Sequence, residues 1–151
     1  MNILWQLSHR LYKNGGVKPL ARAFELLSFI VNSNAISAQA SVGEGTVFYH
    51  HGCGCVVHQD TVIGKNCNIF QNVTIGSKWT DGICDGSAPI IGDNVFIGAG
   101  AVVIGPISIG DGAIIGANAV VLDNVPPYAT IIGIPGRIAR IEVKSKRGGE
   151  S

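Results

Sequence analysis

The sequence has few charged residues and no long apolar segment, and both absences restrict what the protein can be. Aspartate, glutamate, lysine and arginine make up 14% of the 151 residues, and the net charge is +1 at pH 7. A chain so weakly charged is not expected to bind nucleic acid. Although 46% of the residues are hydrophobic, no run reaches the roughly 18 apolar residues of a transmembrane helix. We therefore expect no transmembrane segment and no nucleic-acid partner.

The first residues also lack the features of a secretory signal. MNILWQLSHRLYKNGG has no basic segment followed by an apolar stretch and a small-residue cleavage site. The four cysteines are then expected to be reduced thiols in the cytoplasm. The length fits one domain with a real core.

Glycine is abundant, and its spacing reveals a repeat. The 21 glycines are about twice the usual share of roughly 7%. Aliphatic residues recur every six positions, often with glycine directly after them, and small or β-branched residues recur four positions after each. The aliphatic positions are Ile91, Ile97, Val103, Ile109, Ile115 and Val121, and upstream Val57, Ile63, Ile69 and Ile75, and earlier Ile36, Val42 and Phe48.

A six-residue period predicts an all-β fold, the parallel β-helix, in which each hexapeptide is one short strand and a corner. The period fits neither a helix nor simple strand alternation. The aliphatic residue is expected to point into a narrow core, and glycine to follow because it tolerates the unusual φ and ψ of a corner. A glycine-rich antiparallel sandwich is the alternative, but sandwiches do not keep a six-residue register this long.

The repeat is interrupted twice, and interruptions of a rigid scaffold often carry function. From Phe48 to Val57 is nine residues, three more than one repeat. From Ile75 to Ile91 is 16 residues, ten more than one repeat. We expect a local bulge at the first break and an extruded polar loop, SKWTDGICDGSAP, at the second.

Both ends of the chain lie outside the repeat. Helical spacing of apolar residues predicts two short amphipathic helices in the first 31 residues, carried by Leu4, Leu7 and Leu11 and by Leu20, Phe24, Leu27 and Val31. We expect these helices to cover the open end of the coil. The alternative is that they contact a membrane surface or a partner. The predicted organisation is a helical cap over residues 1–31, a β-helix over 32–141 and a charged tail over 142–151.

Four segments resemble one known family. QNVTIGS, GDNVFIGAGAVV, GDGAIIGANAVV and NVPPYATIIGIPGRI are similar in order and spacing to the hexapeptide-repeat acyltransferases with a left-handed parallel β-helix. The chain most resembles their serine acetyltransferase-like branch, including relatives found with surface-polysaccharide genes, over residues 36 to 141. The resemblance implies a homotrimer, acetyl-CoA as the acetyl donor, and an active site between two subunits.

The segment FYHHGCGCVVH, residues 48–58, holds three of the four histidines. The family's chemistry implies a histidine general base acting on a hydroxyl or amine. His51 begins the His-x-x-Gly-x-Val pattern of serine acetyltransferases, whereas polysaccharide-type relatives keep a histidine at the position of His58. His50 is a third candidate and is expected to orient its neighbour. For each histidine the alternative is a hydrogen-bonded residue at a coil corner.

Two departures from the serine enzymes are visible. Those enzymes carry an aspartate about a coil and a half before the base, but NAISAQAS has no acid there, so Glu44 and Asp60 are the possible orienting acids. They also carry an Arg-His pair before a proline that helps to hold serine, and here Ser87 and Ala88 precede Pro89. The missing pair therefore favours a sugar or sugar nucleotide over free serine as the acceptor.

The extruded loop supplies the candidate acceptor-binding residues, which are Trp79, Asp81 and Asp85. The alternative is that they belong to a solvated loop.

The cysteines are expected to be structural. Cys53-x-Cys55 is shorter than common zinc spacing, so no metal is expected, and the family does not need a cysteine nucleophile. Cys67 lies at a small inward position of its hexapeptide, where burial explains it.

The donor site is predicted from the resemblance. Small residues leave backbone amides open to the amide groups of acetyl-CoA, and basic residues can meet its phosphates. The candidate residues are Gly98, Ala99, Gly100, Ala101, Ala117, Asn118, Ile134, Pro135 and Arg137, with Lys144 or Lys146. The alternative is a set of ordinary coil corners and a basic tail.

The sequence thus predicts a cytoplasmic, trimeric, acetyl-CoA-dependent acetyltransferase that acts on a small acceptor. The first alternative is serine O-acetylation, with the serine carboxylate held by other residues. The second is a non-catalytic β-helix that serves as a binding or scaffold protein.

Overall fold

The computed structural model describes residues 3–15, 18–80, 83–84 and 87–142, with the main chain alone for 79–80 and 83–84. Its centre is a left-handed parallel β-helix of three faces, each a stack of short parallel strands from successive coils, with one antiparallel strand added at the end of the third face. Face A contains β1 (Ala35–Ile36), β4 (Val56–Val57), β7 (Thr74–Gly76), β12 (Val102–Ile104) and β15 (Val120–Val121). Face B contains β2 (Ser41–Val42), β5 (Val62–Ile63), β10 (Ile90–Ile91) and β13 (Ser108–Ile109). Face C contains β3 (Val47–Phe48), β6 (Asn68–Ile69), β11 (Phe96–Ile97), β14 (Ile114–Ile115), β16 (Ala129–Ile132) and β17 (Arg137–Ile141).

The six-residue register is confirmed by the strand pairing. Ile63 pairs with Ile91, which pairs with Ile109, so identical positions of successive coils lie above one another. Within a strand the first residue points outward and the second inward: Val56 is 45% exposed and Val57 only 2%. Each coil therefore buries its aliphatic residues against the coils above and below, and this burial stabilises the stack.

The expected reason for glycine after the aliphatic residue is wrong. Gly64 does not have a positive φ. A Cβ atom there would lie 2.5 Å from the backbone oxygen of Gly92 in the next coil. At this corner the adjacent coils thus approach too closely for a side chain. The left-handed conformation occurs two residues later instead, for example at Asn66 and Asn94, because asparagine tolerates it.

Two helices precede the coil, α1 (Ile3–Lys13) and α2 (Lys18–Asn32). Trp5 is 3% exposed, its ring lies 6.2 Å from that of Phe48, and its indole N–H donates to the carbonyl of Ser37. The N-terminal end of the core is therefore covered by α1. Neither described helix is long enough to cross a membrane.

The helices were predicted from the right segments but with the wrong buried face. The predicted apolar positions Leu20, Leu27 and Val31 are 45%, 43% and 63% exposed. The helices pack instead through small side chains: Ser8 is fully buried and donates to the carbonyl of Ala21. Small residues allow the two backbones to approach, which leaves the larger side chains outside. The division at residues 31 and 141 stays a prediction.

Each interruption of the repeat has its own structure. The first is a tight turn over Tyr49–Gly52, in which His50 and His51 do not have the φ and ψ of a right-handed helix. The second contains a two-stranded antiparallel hairpin, β8 (Trp79–Thr80) and β9 (Ile83–Cys84). At the other end of the coil, β17 turns back antiparallel to β16, a strand that the six-residue frame did not predict.

Candidate functional site

The turn at residues 49–52 has an unusual backbone. His50, His51 and Gly52 are three consecutive residues with positive φ, at 51°, 58° and 72°. For residues other than glycine this conformation costs about 1–2 kcal/mol each. The N–H of Cys53 donates to the carbonyl of His50 and closes the turn, and both imidazoles are exposed. The left-handed backbone therefore projects two histidines from the coil.

The turn is attached to the segment that follows α2. The side-chain N–H of Asn34 donates to the carbonyl of His51 at 3.0 Å. The N–H of Gly54 donates to the carbonyl of Ser33 at 2.8 Å. Asn34 is 3% exposed, and sequence analysis did not identify it, because nothing in the six-residue frame marks it. Its only signal is its position in the polar run directly before the first repeat.

Aromatic rings extend from the turn along face C. Tyr49 and Phe70 are stacked, with ring centroids 4.6 Å apart, and Phe70 lies 5.1 Å from Phe96. His50 contacts the same group, with its ring 6.5 Å from that of Phe70. Tyr49 is 38% exposed. An exposed aromatic surface therefore lies beside His50, the residue before His51.

His58 lies beside an acid. Its Nδ1 is 3.6 Å from the Oδ2 atom of Asp60, and the backbone N–H of Asp60 donates to the same nitrogen. A nitrogen that accepts this bond carries no proton, so the neutral ring is protonated on Nε2. Of the two possible orienting acids, Asp60 is therefore adjacent to a candidate base. Glu44 lines a cavity of about 230 Å³ with His9 instead, away from the three candidate histidines.

His51 and His58 lie at different corners of the coil. The residues that link face C to face A form the C–A corner, which consists of residues 49–55, 70–73, 98–101 and 116–119. Residues 133–136, between β16 and β17, lie next to this column through hydrogen bonds with Val120. His51 belongs to this corner, whereas His58 follows β4 and faces the A–B corner. The two-residue strand β4 lies between these corners. One chain therefore presents its two candidate bases at two different corners.

The C–A corner also holds most of the predicted donor-binding residues. The N–H of Asn118 donates to the carbonyl of Ala99, which places the two predicted segments in adjacent coils. With coils about 4.8 Å apart, Ala99 and Ala117 lie about 10 and 14 Å along the axis from the turn that carries His51. Ile134, Pro135 and Arg137 are exposed and continue the column, and the Ile134–Pro135 bond is cis.

Backbone donors are open in this column. Among the described residues, none accepts a hydrogen bond from the N–H of Ala99 or Ala117. At the B–C corner the same position in the repeat is filled: the N–H of Lys65 donates to the carboxylate of Asp93, and that of Asp93 to the carboxylate of Asp111. Alanine supplies no acceptor, so the C–A corner leaves its N–H groups available to a ligand with amide carbonyls.

One predicted donor-binding residue does not fit. Ala101 is 0% exposed and belongs to the hydrophobic core, so its side chain cannot touch a ligand. The reason is its place in the repeat, the small inward position before the strand. Gly98 and Gly100 contribute backbone: a Cβ at Gly98 would lie 2.6 Å from the backbone nitrogen of Ala117.

The predicted acceptor-binding loop is described only in part. Trp79 lies in β8, where only its main chain is described, and Asp81 and Asp85 lie outside the described residues, as do Lys144 and Lys146. Ser87 and Ala88, at the end of the loop, line a cavity of about 390 Å³ together with Ile90, Ser108 and Asn124. Among the described residues that line it, none has a charged side chain.

The cysteines near the turn have separate environments. Cys53 is exposed, whereas Cys55 and Cys67 are fully buried in the core. Burial raises the pKa of both buried thiols, which keeps them protonated and unreactive. Within the described residues, no three histidine, cysteine, aspartate or glutamate side chains are placed to hold a metal ion together.

Known proteins similar to this chain share its repeat and its fold. The family model described as bacterial transferase hexapeptide (six repeats) matches residues 88–123. A serine acetyltransferase of Staphylococcus epidermidis is 38% identical over 145 residues, which are 94% of this chain and 66% of that protein. The chain thus spans just under two thirds of that relative.

Solved structures give the same result. Soybean serine acetyltransferase complexed with serine is 38% identical, with a TM-score of 0.81 over 90% of this chain and 54% of that one. A serine acetyltransferase in complex with CoA is 35% identical, with a TM-score of 0.78 over 90% and 54%. This chain spans about half the length of these structures.

Proposed function

Because the chain belongs to the hexapeptide-repeat acyltransferase family, in its serine acetyltransferase-like branch, we propose that it transfers an acetyl group from acetyl-CoA to a hydroxyl group of a small acceptor. The observation that carries this proposal is the C–A corner, where an exposed histidine and open backbone N–H groups lie in one column. The column offers a base for the acceptor and hydrogen-bond donors for the amide-rich arm of the donor.

The proposed reaction is direct transfer with His51 as general base. The imidazole takes the proton of the acceptor hydroxyl as its oxygen attacks the thioester carbonyl carbon. The carbon–sulfur bond breaks, and the CoA thiolate takes up that proton as it leaves. Neighbouring backbone N–H groups would stabilise the negative charge on the carbonyl oxygen. A left-handed turn that holds His51 outside the coil suits this role.

L-serine is the first acceptor to consider. The relatives named above are serine acetyltransferases, and one of the similar structures contains serine. In this chain the serine carboxylate would need residues other than the Arg-His pair, since Ser87 and Ala88 occupy those positions.

A sugar or sugar nucleotide is the second candidate, and two observations favour it. The described residues that line the cavity beside Ser87 and Ala88 include no charged side chain to hold a free amino acid. The stacked rings of Tyr49 and Phe70 lie beside His50, which directly precedes His51, and aromatic faces pack well against the apolar face of a sugar ring.

We further propose a cytoplasmic homotrimer. Each chain presents one wall of a groove at its C–A corner and another at its A–B corner, so a neighbouring copy would supply the missing wall. Outward-facing apolar residues on faces B and C, such as Ile90 and Phe96 at 57% and 37% exposure, are candidates for that contact.

The test is thiol release from acetyl-CoA by purified protein, with L-serine and with a panel of nucleotide-linked sugars. Acceptor-dependent thiol release that is lost in His51→Ala supports the proposal, and the acceptor that works names the substrate class. If no acceptor works and calorimetry detects no CoA binding, the protein is a scaffold and the proposal fails.

A further inference from the structure

A buried polar chain connects helix α2 to the turn that carries His51. The hydroxyl of Ser28 donates to the side-chain oxygen of Asn34 at 3.0 Å, and the side-chain N–H of Asn34 donates to the carbonyl of His51 at 3.0 Å. Ser28 and Asn34 are 2% and 3% exposed. A buried amide with both ends hydrogen-bonded has one preferred orientation, because any rotation would leave a buried polar group unpaired.

The hydrogen bond from Asn34 acts on the backbone that aims the imidazole. It holds the peptide plane between His51 and Gly52, in the middle of three residues with positive φ. This conformation is unfavourable for histidine, so the turn needs external contacts to persist. A side chain at Gly52 would be strained by its φ of 72°, and its Cβ would lie 2.9 Å from Cδ1 of Ile36, which would have to shift.

We propose that Asn34 is a positioning residue for His51: it fixes the left-handed turn, and thereby the direction of the imidazole, without touching either substrate. The inference rests on the proposed role of His51 as the base. It assigns a second task to the N-terminal helices, because Ser28 of α2 orients the amide that holds the turn. The serine enzymes place an aspartate near the base; this chain anchors the main chain of the histidine instead.

The chain offers a matched control for a purely structural role. Glu25, also on α2, accepts a hydrogen bond from the backbone N–H of Ala38 at 2.6 Å. This bond joins α2 to the same first coil but does not reach the turn at residues 49–52. Glu25→Ala should therefore loosen the helix on the coil and leave His51 in place.

The experiment compares Asn34→Ala, Asn34→Asp and Glu25→Ala with the unmodified full chain. Asn34→Asp keeps the shape and the bond from Ser28 but removes the donor to His51. We expect both Asn34 variants to lower kcat at least tenfold with KM for acetyl-CoA changed less than threefold, while Glu25→Ala keeps kcat within twofold. The melting temperatures of all three are measured, and Asn34→Ala and Glu25→Ala should fall by similar amounts.

A second readout does not need turnover. In protein labelled with ¹³C at histidine, the ring signal of His51, assigned by its loss in His51→Gln, should be single in the unmodified chain and in Glu25→Ala. It should be shifted or split in Asn34→Ala. If kcat and the ring signal are unchanged in the Asn34 variants, the positioning role is wrong. If His51→Ala keeps full activity while Asn34→Ala shifts the ring signal, the proposed base is wrong but the anchor stands.

Discussion

His51 and His58 flank the same two-residue strand, β4, and therefore serve different corners of the coil. His51 lies in a left-handed turn, and its backbone carbonyl accepts a hydrogen bond from Asn34. His58 is held through its ring, whose Nδ1 accepts a hydrogen bond from the backbone N–H of Asp60. The column of open backbone N–H groups lies on the His51 side, which is why we assign the base to His51.

This assignment predicts unequal effects of two alanine substitutions. His51→Ala should lower kcat by at least about 100-fold, since general-base catalysis contributes about 10²–10⁴-fold, and should leave KM for acetyl-CoA nearly unchanged. His58→Ala should lower kcat less than about tenfold. The measurement is steady-state thiol release with the best acceptor. A large loss in His58→Ala with an active His51→Ala would move the base to the A–B corner.

The periodic part of the molecule could be predicted from the sequence because periodicity and burial have the same cause. Ile63, Ile91 and Ile109 stack in one register since each repeat must place an aliphatic residue in a core one side chain wide. The role of glycine was misjudged, because the close approach of Gly64 to Gly92 arises between coils and has no local signal. The helices were found by their leucines, yet Trp5 fills the end of the core.

The candidate site could be located but not assembled from the sequence. The frame break and the histidines marked residues 48–58 as the place to look. The hydrogen bond from Asn34 to His51 joins positions 17 residues apart. It depends on a left-handed turn that no sequence pattern predicted. The open N–H groups of Ala99 and Ala117 could not be inferred from the sequence, because they are recognised by comparison with the B–C corner, where carboxylates accept hydrogen bonds from the equivalent N–H groups.

Gly64 and Gly76 both follow the inward aliphatic residue of a repeat, but they should respond differently to substitution by alanine. In Gly64→Ala the new Cβ would lie 2.5 Å from the backbone oxygen of Gly92, and no flexible side chain can yield. We expect a loss of about 1–3 kcal/mol or more in the free energy of unfolding. In Gly76→Ala the nearest atom is Cδ1 of Ile104 at 3.4 Å, so the change should be within about 0.5 kcal/mol.

Urea unfolding followed by circular dichroism measures both glycine variants. Equal stability of Gly64→Ala and Gly76→Ala would mean that the coils do not stack as closely as described.

The covering of the core by α1 is tested by Trp5. Trp5→Ala removes a 3% exposed side chain that contacts Phe48 and the carbonyl of Ser37, and large-to-small core changes of this kind cost about 3–5 kcal/mol. Ile3→Ala, at a side chain 68% exposed on the same helix, should cost less than about 0.5 kcal/mol. Urea unfolding separates the two, and similar values would show that α1 does not seal the coil.

The burial of Cys67 predicts that the protein loses stability at alkaline pH. Burial raises the pKa of Cys67 above its ordinary value of 9.0, so the folded state stays protonated where the unfolded chain ionises. The stabilisation is complete below pH 9.0 and is lost as the pH rises through the folded pKa. The loss is at most about 1.4 kcal/mol per pH unit for one thiol.

Cys67→Ala should remove this dependence. Alanine fits the site, since Ala101 and Ala113 occupy the same inward position in later repeats and are fully buried. The free energies of unfolding of the two proteins, measured from pH 7 upward, should differ by a constant up to pH 9.0. Above it the unmodified protein should fall more steeply, because the two proteins share every other ionisable side chain, Cys55 included. Parallel curves across the whole range would show that the Cys67 thiol ionises as readily in the folded protein as in the unfolded chain.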